Sequence, residues 1–208
     1  MATELPPLTI TLTGVSKRFG REWVLRELTQ HYQSGTIYGV EGRNGSGKST
    51  LLRLLAGQLS PSRGSLNYTL ADCPLAVAEV YRFVSWTGPY LELVEELTIE
   101  EMLRFHFGLK PLTPGLTIGG VMERIALGSF RRRTLLDCSS GMRQRVLLAT
   151  GLYAATPLLL LDEPTVTLDL AAANWFATEL ARYSAGRLVV IASNDARDLA
   201  LCSSVQSL

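Results

Sequence analysis

Residues 42–50 read GRNGSGKST. They fit the pattern G-x-x-x-x-G-K-[ST], and their flanks fix the fold. Before them, Thr36–Val40 (TIYGV) is a short buried strand. After them, Lys48–Ala56 carries leucines at 51, 52, 54 and 55, the spacing of a helix with one buried face, ending near Gly57 and Pro61. Strand, glycine loop and helix, in that order, form the setting in which this pattern holds phosphate. Gly42, Asn44, Gly45, Ser46 and Gly47 offer backbone N–H groups to a β-phosphate. Lys48 adds a positive charge between the β- and γ-phosphates. Ser49 presents a hydroxyl to Mg²⁺, and Thr50 a further N–H.

A companion lies downstream. PLLLLDEP (157–164) is an apolar run of strand length that ends in two acids. Burial of the leucines fixes Asp162 at the C-terminal end of the strand, where open parallel sheets bind their ligands. Asp162 there can hold Mg²⁺ through water, and Glu163 can polarise an attacking water. RLVVIASND (187–195) is a second buried strand with a polar tip. Strands at Leu8–Leu12, Trp23–Tyr32, Gly64–Leu70 and Val80–Trp86, and helices at Thr98–Phe107, Gly120–Leu127, Met142–Ala155 and Ala171–Ser184, complete an α/β pattern. Thr98-x-x-Glu101 is a capping box. About 88–137 reads as a helical insert, broken by KPLTPG (110–115).

Residues 138–145, CSSGMRQR, pose a problem. A small-residue loop runs into a helix that starts basic, a second anion-seeking element. Phosphoryl transfer needs charge stabilisation on the far side of the γ-phosphate. One chain does not readily fold this loop over its own phosphate site, but a symmetric dimer places it over the partner's.

Taken in order, these motifs resemble the ATP-binding cassette (ABC) ATPases over nearly the whole chain. Gly42–Thr50 resembles their Walker A loop, and Leu158–Glu163 their Walker B strand plus catalytic glutamate. Cys138-Ser139-Ser140-Gly141-Met142 resembles the LSGGQ signature, with Cys for Leu, Ser for the first Gly and Met for Gln. Thr167-Leu168-Asp169 resembles the D-loop. The resemblance implies a P-loop NTPase core with a mostly parallel sheet, an antiparallel β subdomain and an inserted helical subdomain, in a single domain spanning 1–208. It implies ATP and Mg²⁺ as ligands. Ser139, Ser140, Gly141 and Met142 would act on the ATP of a second cassette, in a homodimer or a heterodimer. Glu163 and Lys48 would be catalytic. It further implies a separate membrane permease, received by the helical insert, with Tyr90, Leu91 and Leu93 as exposed anchors; ordinary packing is the rival reading of those three.

The resemblance also implies that Phe19, in SKRFG, takes the place of the aromatic residue that stacks on adenine; a core aromatic at a strand end is the rival reading, and Trp23 is a weaker candidate. Two family positions depart from the pattern. A glutamine is expected at the end of the strand in YRFVSWTGPY, where Trp86 aligns best; its indole only donates. A histidine is expected in IASND, where Asn194 stands. Asn194 either donates to a phosphate oxygen or caps the next helix.

Composition bounds the rest. The chain has 208 residues, 47% hydrophobic and 19% charged, with a net charge of +1. A sizeable core is expected and nucleic acid is not an expected partner. Three scattered cysteines and two histidines suggest neither disulfide nor metal frameworks. MATELPPLTI lacks the features of a signal peptide, and no window reaches membrane-spanning length. The expected location is cytosolic, peripheral on the inner face of the cell membrane through the permease. Arg131-Arg132-Arg133 reads as a solvated face. Two rivals remain: a soluble cassette protein serving ribosomes or DNA, and a partly degenerate module paired with a more active cassette.

Overall fold

The computed structural model describes residues 5–88 and 92–208. Its strands form two sheets. The first is antiparallel and contains β1 (Leu8–Phe19), β2 (Glu22–Gln33), β4 (Arg63–Leu70) and β5 (Cys73–Leu75), in the order β2-β1-β4-β5. β1 and β2 join through the two-residue turn Gly20-Arg21, with Gly20 at φ 56°. That left-handed backbone matches the twist of a tight hairpin. The second sheet is parallel. It contains β3 (Ile37–Glu41), β6 (Val84–Thr87), β7 (Leu158–Asp162), β8 (Leu188–Ser193) and β9 (Ser204–Ser207), in the order β6-β7-β8-β3-β9.

β7 (LLLLD) and β8 (LVVIAS) are buried along their whole length, because both faces of the parallel sheet are covered. Alternation sorts their side chains into two cores. Leu158, Leu160, Leu188 and Val190 meet α1 (Lys48–Leu55) and the inner face of the antiparallel sheet. Leu159, Leu161, Val189 and Ile191 meet a second core on the other face. That core is completed by α2 (Ile99–Leu109), α3 (Ile118–Arg124), α4 (Ser140–Leu152) and α5 (Leu170–Tyr183). α2 and α3 lie between β6 and α4, within the expected insert. The Thr98–Glu101 capping box is formed.

Several sequence expectations shift. Val77–Arg82 is a 3-10 turn, so the strand expected over 80–86 starts only at Val84. Val80 is the buried residue of that turn, and Glu79 pairs with Arg82 at 2.8 Å, which favours the tight coil. α3 starts at Ile118 because the Thr117 hydroxyl caps it, accepting from Gly120 N–H. α4 stops at Leu152, short of Ala155. There the guanidinium of Arg187, 2% exposed, donates to Leu152 O at 2.9 Å and Gly151 O at 3.2 Å. These are carbonyls that a helix end leaves without partners. Burial brings the pKa of Arg187 down to about 9. Arg131, Arg132 and Arg133 are exposed, as a solvated face requires, and Arg131 joins Arg104 on Glu100 and helps hold that carboxyl at about 2.

At the bulge in β1, Gly14 and Gly64 meet backbone to backbone. A Cβ on Gly64, at φ 79°, would lie 2.4 Å from Gly14 O. Gly64→Ala is therefore expected to cost about 2–3 kcal/mol, from left-handed strain plus a clash that only backbone movement relieves. Gly115→Ala is the control. Its φ is 85° but nothing lies within 4 Å of the added carbon, so about 1 kcal/mol is expected. Urea unfolding of both variants checks the difference.

Candidate nucleotide site

The loop after β3 needs its glycines for distinct reasons. Gly45 (φ 82°) and Gly47 (φ 105°) take left-handed backbone. Gly42 admits the turn because a Cβ there would fall 2.3 Å from Ser46 Oγ. α1 then begins at Lys48, and the N–H groups of its first turn lack carbonyl partners within the helix. The loop thus aims its donors at one point, with the positive end of the helix dipole behind them.

Lys48 is buried at 6% exposure. Its Nζ donates to Gly42 O at 2.7 Å and lies 3.3 Å from Glu163 Oε1. Asp162, 2% exposed, ends β7 with the Ser49 hydroxyl against its carboxylate. Its Oδ2 has no partner among the described residues. Burial pushes the Asp162 carboxyl above its ordinary range; the Ser49 contact opposes this and the Glu163 charge adds to it. A hydroxyl and an unsatisfied carboxylate oxygen side by side suit a hard divalent cation. Glu163 holds a left-handed backbone (φ 47°), pinned by its N–H to Ala192 O at 2.8 Å. A non-glycine residue in that region is strained, a condition common at functional sites.

These residues line a cleft of about 710 Å³ together with Phe19, Asn44, Gly45, Gly47, Ser49, Thr50 and Asn194. Phe19 is 48% exposed at its mouth, with Lys17 Nζ 5.3 Å from the ring centroid. Trp23 faces elsewhere, its ring under the guanidiniums of Arg63 (4.9 Å) and Arg18 (5.5 Å). Asn194 reaches across to Asn44 at 3.4 Å. It does not cap the helix that follows, α6 (Ala196–Leu199): Asp195 does, accepting from Arg197 N–H.

The second anion-seeking element lies apart. None of residues 138–142 lines the cleft around Lys48. Ser139 caps α4, accepting from Met142 N–H, while Ser140 lines another cleft beside Glu95, Arg143 and Thr167. Ser139 and Ser140 are exposed. Met142 departs from expectation: its side chain is 8% exposed and packs in the second core, so only small residues are presented. Asp169 caps α5 through Ala172 N–H at 2.8 Å. Leu93 is partly buried against the second core rather than exposed, while Tyr90 and Leu91 lie outside the described residues.

Trp86 is also corrected. It lies within β6, opposite Leu160, and packs on the inter-sheet core with its indole N–H unpartnered among the described residues. The residue just past the strand, beside Asp162, is Gly88: a Cβ there would be 2.9 Å from Asp162 Cβ. The strand itself ends at the buried Thr87, the first residue past it carries no side chain, and Trp86 Nε1 lies 3.4 Å from the Cβ that Gly88 lacks. The sequence reading also missed Ser193, whose Oγ reaches Glu163 Oε2 at 3.1 Å.

The sequence profile of ABC transporters matches residues 25–166. The chain belongs to this family. The cassette is 33% identical to the cytochrome c biogenesis ATP-binding export protein CcmA of Rhizobium meliloti, over 87% of this chain and 88% of that one. It is also 33% identical to the Nod factor export ATP-binding protein I of Rhizobium johnstonii, covering 79% of this chain. There it spans about half (54%) of the relative's length. Among solved structures, the ATP-binding subunit of an ABC transporter superposes with a TM-score of 0.81 at 25% identity, over 96% of this chain and 85% of that one. A dimeric cassette with ADP and Pi superposes at 0.80 and 20% identity, over 96% and 94%, and so shares the fold. No helix among the described residues is long and apolar enough to cross a membrane.

Proposed function

We propose that this cassette binds and hydrolyses ATP to drive a membrane transport complex whose permease is a separate chain. The observation that carries this reading is the convergence of Lys48, Asp162, Glu163 and Asn194 on one cleft at the C-terminal end of the parallel sheet. ATP seats its phosphates on the loop 42–50 and its adenine against Phe19. Lys48 Nζ then leaves Gly42 O for the phosphates, which also removes the cation from Glu163 Oε1. The carboxylate freed in this way accepts a proton from water as the water oxygen attacks the γ-phosphorus. The bond to the ADP oxygen breaks, and ADP and phosphate leave. Ser49 and Asp162 would hold Mg²⁺, whose charge stabilises the transferring phosphoryl group. Asn194 donates to a γ-phosphate oxygen.

Ser139, Ser140 and Gly141, which do not reach their own cleft, act on the ATP of a second cassette when the pair closes head to tail. Val166, Leu170 and Leu136 are more than 60% exposed. They suit a face that closes and reopens in each cycle. The relatives' names include both export and import, which fits a motor whose cargo is chosen by the permease. A second reading rests on Gly88 and Asn194. With no glutamine at the end of β6 and no imidazole at the γ-phosphate, this cassette would pair with a more active one.

The test is a pull-down of tagged Glu163→Gln protein from native membranes with ATP. A polytopic membrane protein in fixed ratio is expected. Ribosomal or DNA-associated partners without one overturn the transport reading. Recovery of a different cassette in equal ratio moves the second reading to the front.

A further inference from the structure

Ser193 ends β8 with a fully buried hydroxyl that has three neighbours. It accepts from Asp195 N–H at 3.0 Å. It also lies 2.7 Å from Asp198 Oδ2 and 3.1 Å from Glu163 Oε2. A hydroxyl has one hydrogen, so it cannot donate to two carboxylates at once. Asp198 is 1% exposed on α6 and has no ion-pair partner among the described residues. The nearby guanidinium, Arg197, is committed to Asp195 through contacts of 2.6–3.1 Å. An ionised Asp198 would therefore be a buried charge with no cation in contact, with the Thr165 hydroxyl as its other donor and Glu163 and Asp195 as like-charged neighbours.

We propose that Asp198 carries a proton in the folded cassette and donates it to Ser193 Oγ, so that the Ser193 hydrogen points at Glu163 Oε2. Asp198 and Ser193 then act as positioning residues for the base, a role that rests on the reading of Glu163 given above. The chain of donors runs one way, Asp198 to Ser193 to Glu163. It holds Oε2 and leaves Oε1, now on Lys48, as the oxygen that meets water. Were Asp198 ionised, its shorter contact would draw the Ser193 hydrogen away, and Glu163 Oε2 would face a lone pair. Burial pushes the Asp198 carboxyl upward, in the same direction; the Ser193 and Thr165 hydroxyls oppose this and the Asp195 and Glu163 charges add to it.

The experiment reads protonation directly and needs no turnover. Full-length cassette labelled with ¹³C at aspartate and glutamate side-chain carboxyls is examined by NMR at neutral pH without nucleotide. A protonated-carboxyl aspartate signal that is absent in Asp198→Asn is expected. The Glu163 signal, assigned with Glu163→Gln, should shift in Ser193→Ala and return in Ser193→Thr. Only ionised aspartates, or a Glu163 signal indifferent to Ser193→Ala, overturns the proposal. Turnover adds the functional consequence: Ser193→Ala should lose about tenfold in kcat, the worth of one hydrogen bond to a charged group, with KM for ATP unchanged. Ser193→Thr should restore it. A parent protein that turns over no ATP, yet shows the protonated Asp198, sinks the hydrolysis reading and leaves the proton assignment standing.

Discussion

Replacing Glu163 with glutamine is expected to cut phosphate release at least a hundredfold while ATP stays bound. A positioned general base contributes about 10²–10⁴ in rate, and an amide cannot accept the water's proton. Glutamine keeps the shape of the side chain, so the left-handed backbone at Glu163 and its N–H bond to Ala192 O remain. The substitution also ends the 3.3 Å ion pair that ties Lys48 to this carboxylate. Lys48 is then free for the phosphates, and ATP affinity should hold or rise. Single-turnover phosphate release and nucleotide retention by gel filtration measure the two halves. A variant that keeps a third of the parental rate would place the base elsewhere. Weakened ATP binding at unchanged fold would show that the Lys48–Glu163 pair is not a resting-state latch.

Lys48→Met addresses binding rather than chemistry. Methionine matches the length and buried packing of the lysine, which is 6% exposed, and removes only the charge and its donors. A charge-assisted contact to phosphate is worth about 1.5–3 kcal/mol. Its loss inside a cleft that still holds Asp162 and Glu163 adds repulsion from two acids. An increase of about a hundredfold in the Kd for ATP is expected, by calorimetry with and without Mg²⁺. A change below about fivefold would mean that the phosphates do not seat on the loop 42–50. Thermal unfolding of the nucleotide-free variant separates lost binding from lost fold.

The elements read best from sequence are those whose signal is local. The buried strands at 158–162 and 188–193 announce themselves by unbroken apolar runs, and α2 by its capping box. Val80–Trp86 reads as one strand because apolar density there serves two purposes. Val80 plugs the core from a 3-10 turn, and only Val84–Thr87 joins the ladder. The end of α4 was overrun because its cap comes from Arg187, thirty-five residues further on. No pattern within the helix carries that information.

The sequence by itself determined the phosphate loop, the two acids after β7, the separate serine-rich helix start and hence the family. Each of these is a requirement on contiguous residues: glycine where φ is positive, apolar residues where a strand is buried, a small residue where a helix begins. Only the tertiary structure decided what those residues meet. It set Lys48 on Glu163 and kept the serine-rich helix start out of the Lys48 cleft. It turned Met142 inward, kept Trp86 within β6 and set Gly88, just past the strand, beside Asp162. It also brought Ser193 and Asp198, from another strand and helix, behind the base. Such contacts join residues tens of positions apart, and they follow from the register of parallel strands and the packing of helices across them, which local spacing does not encode.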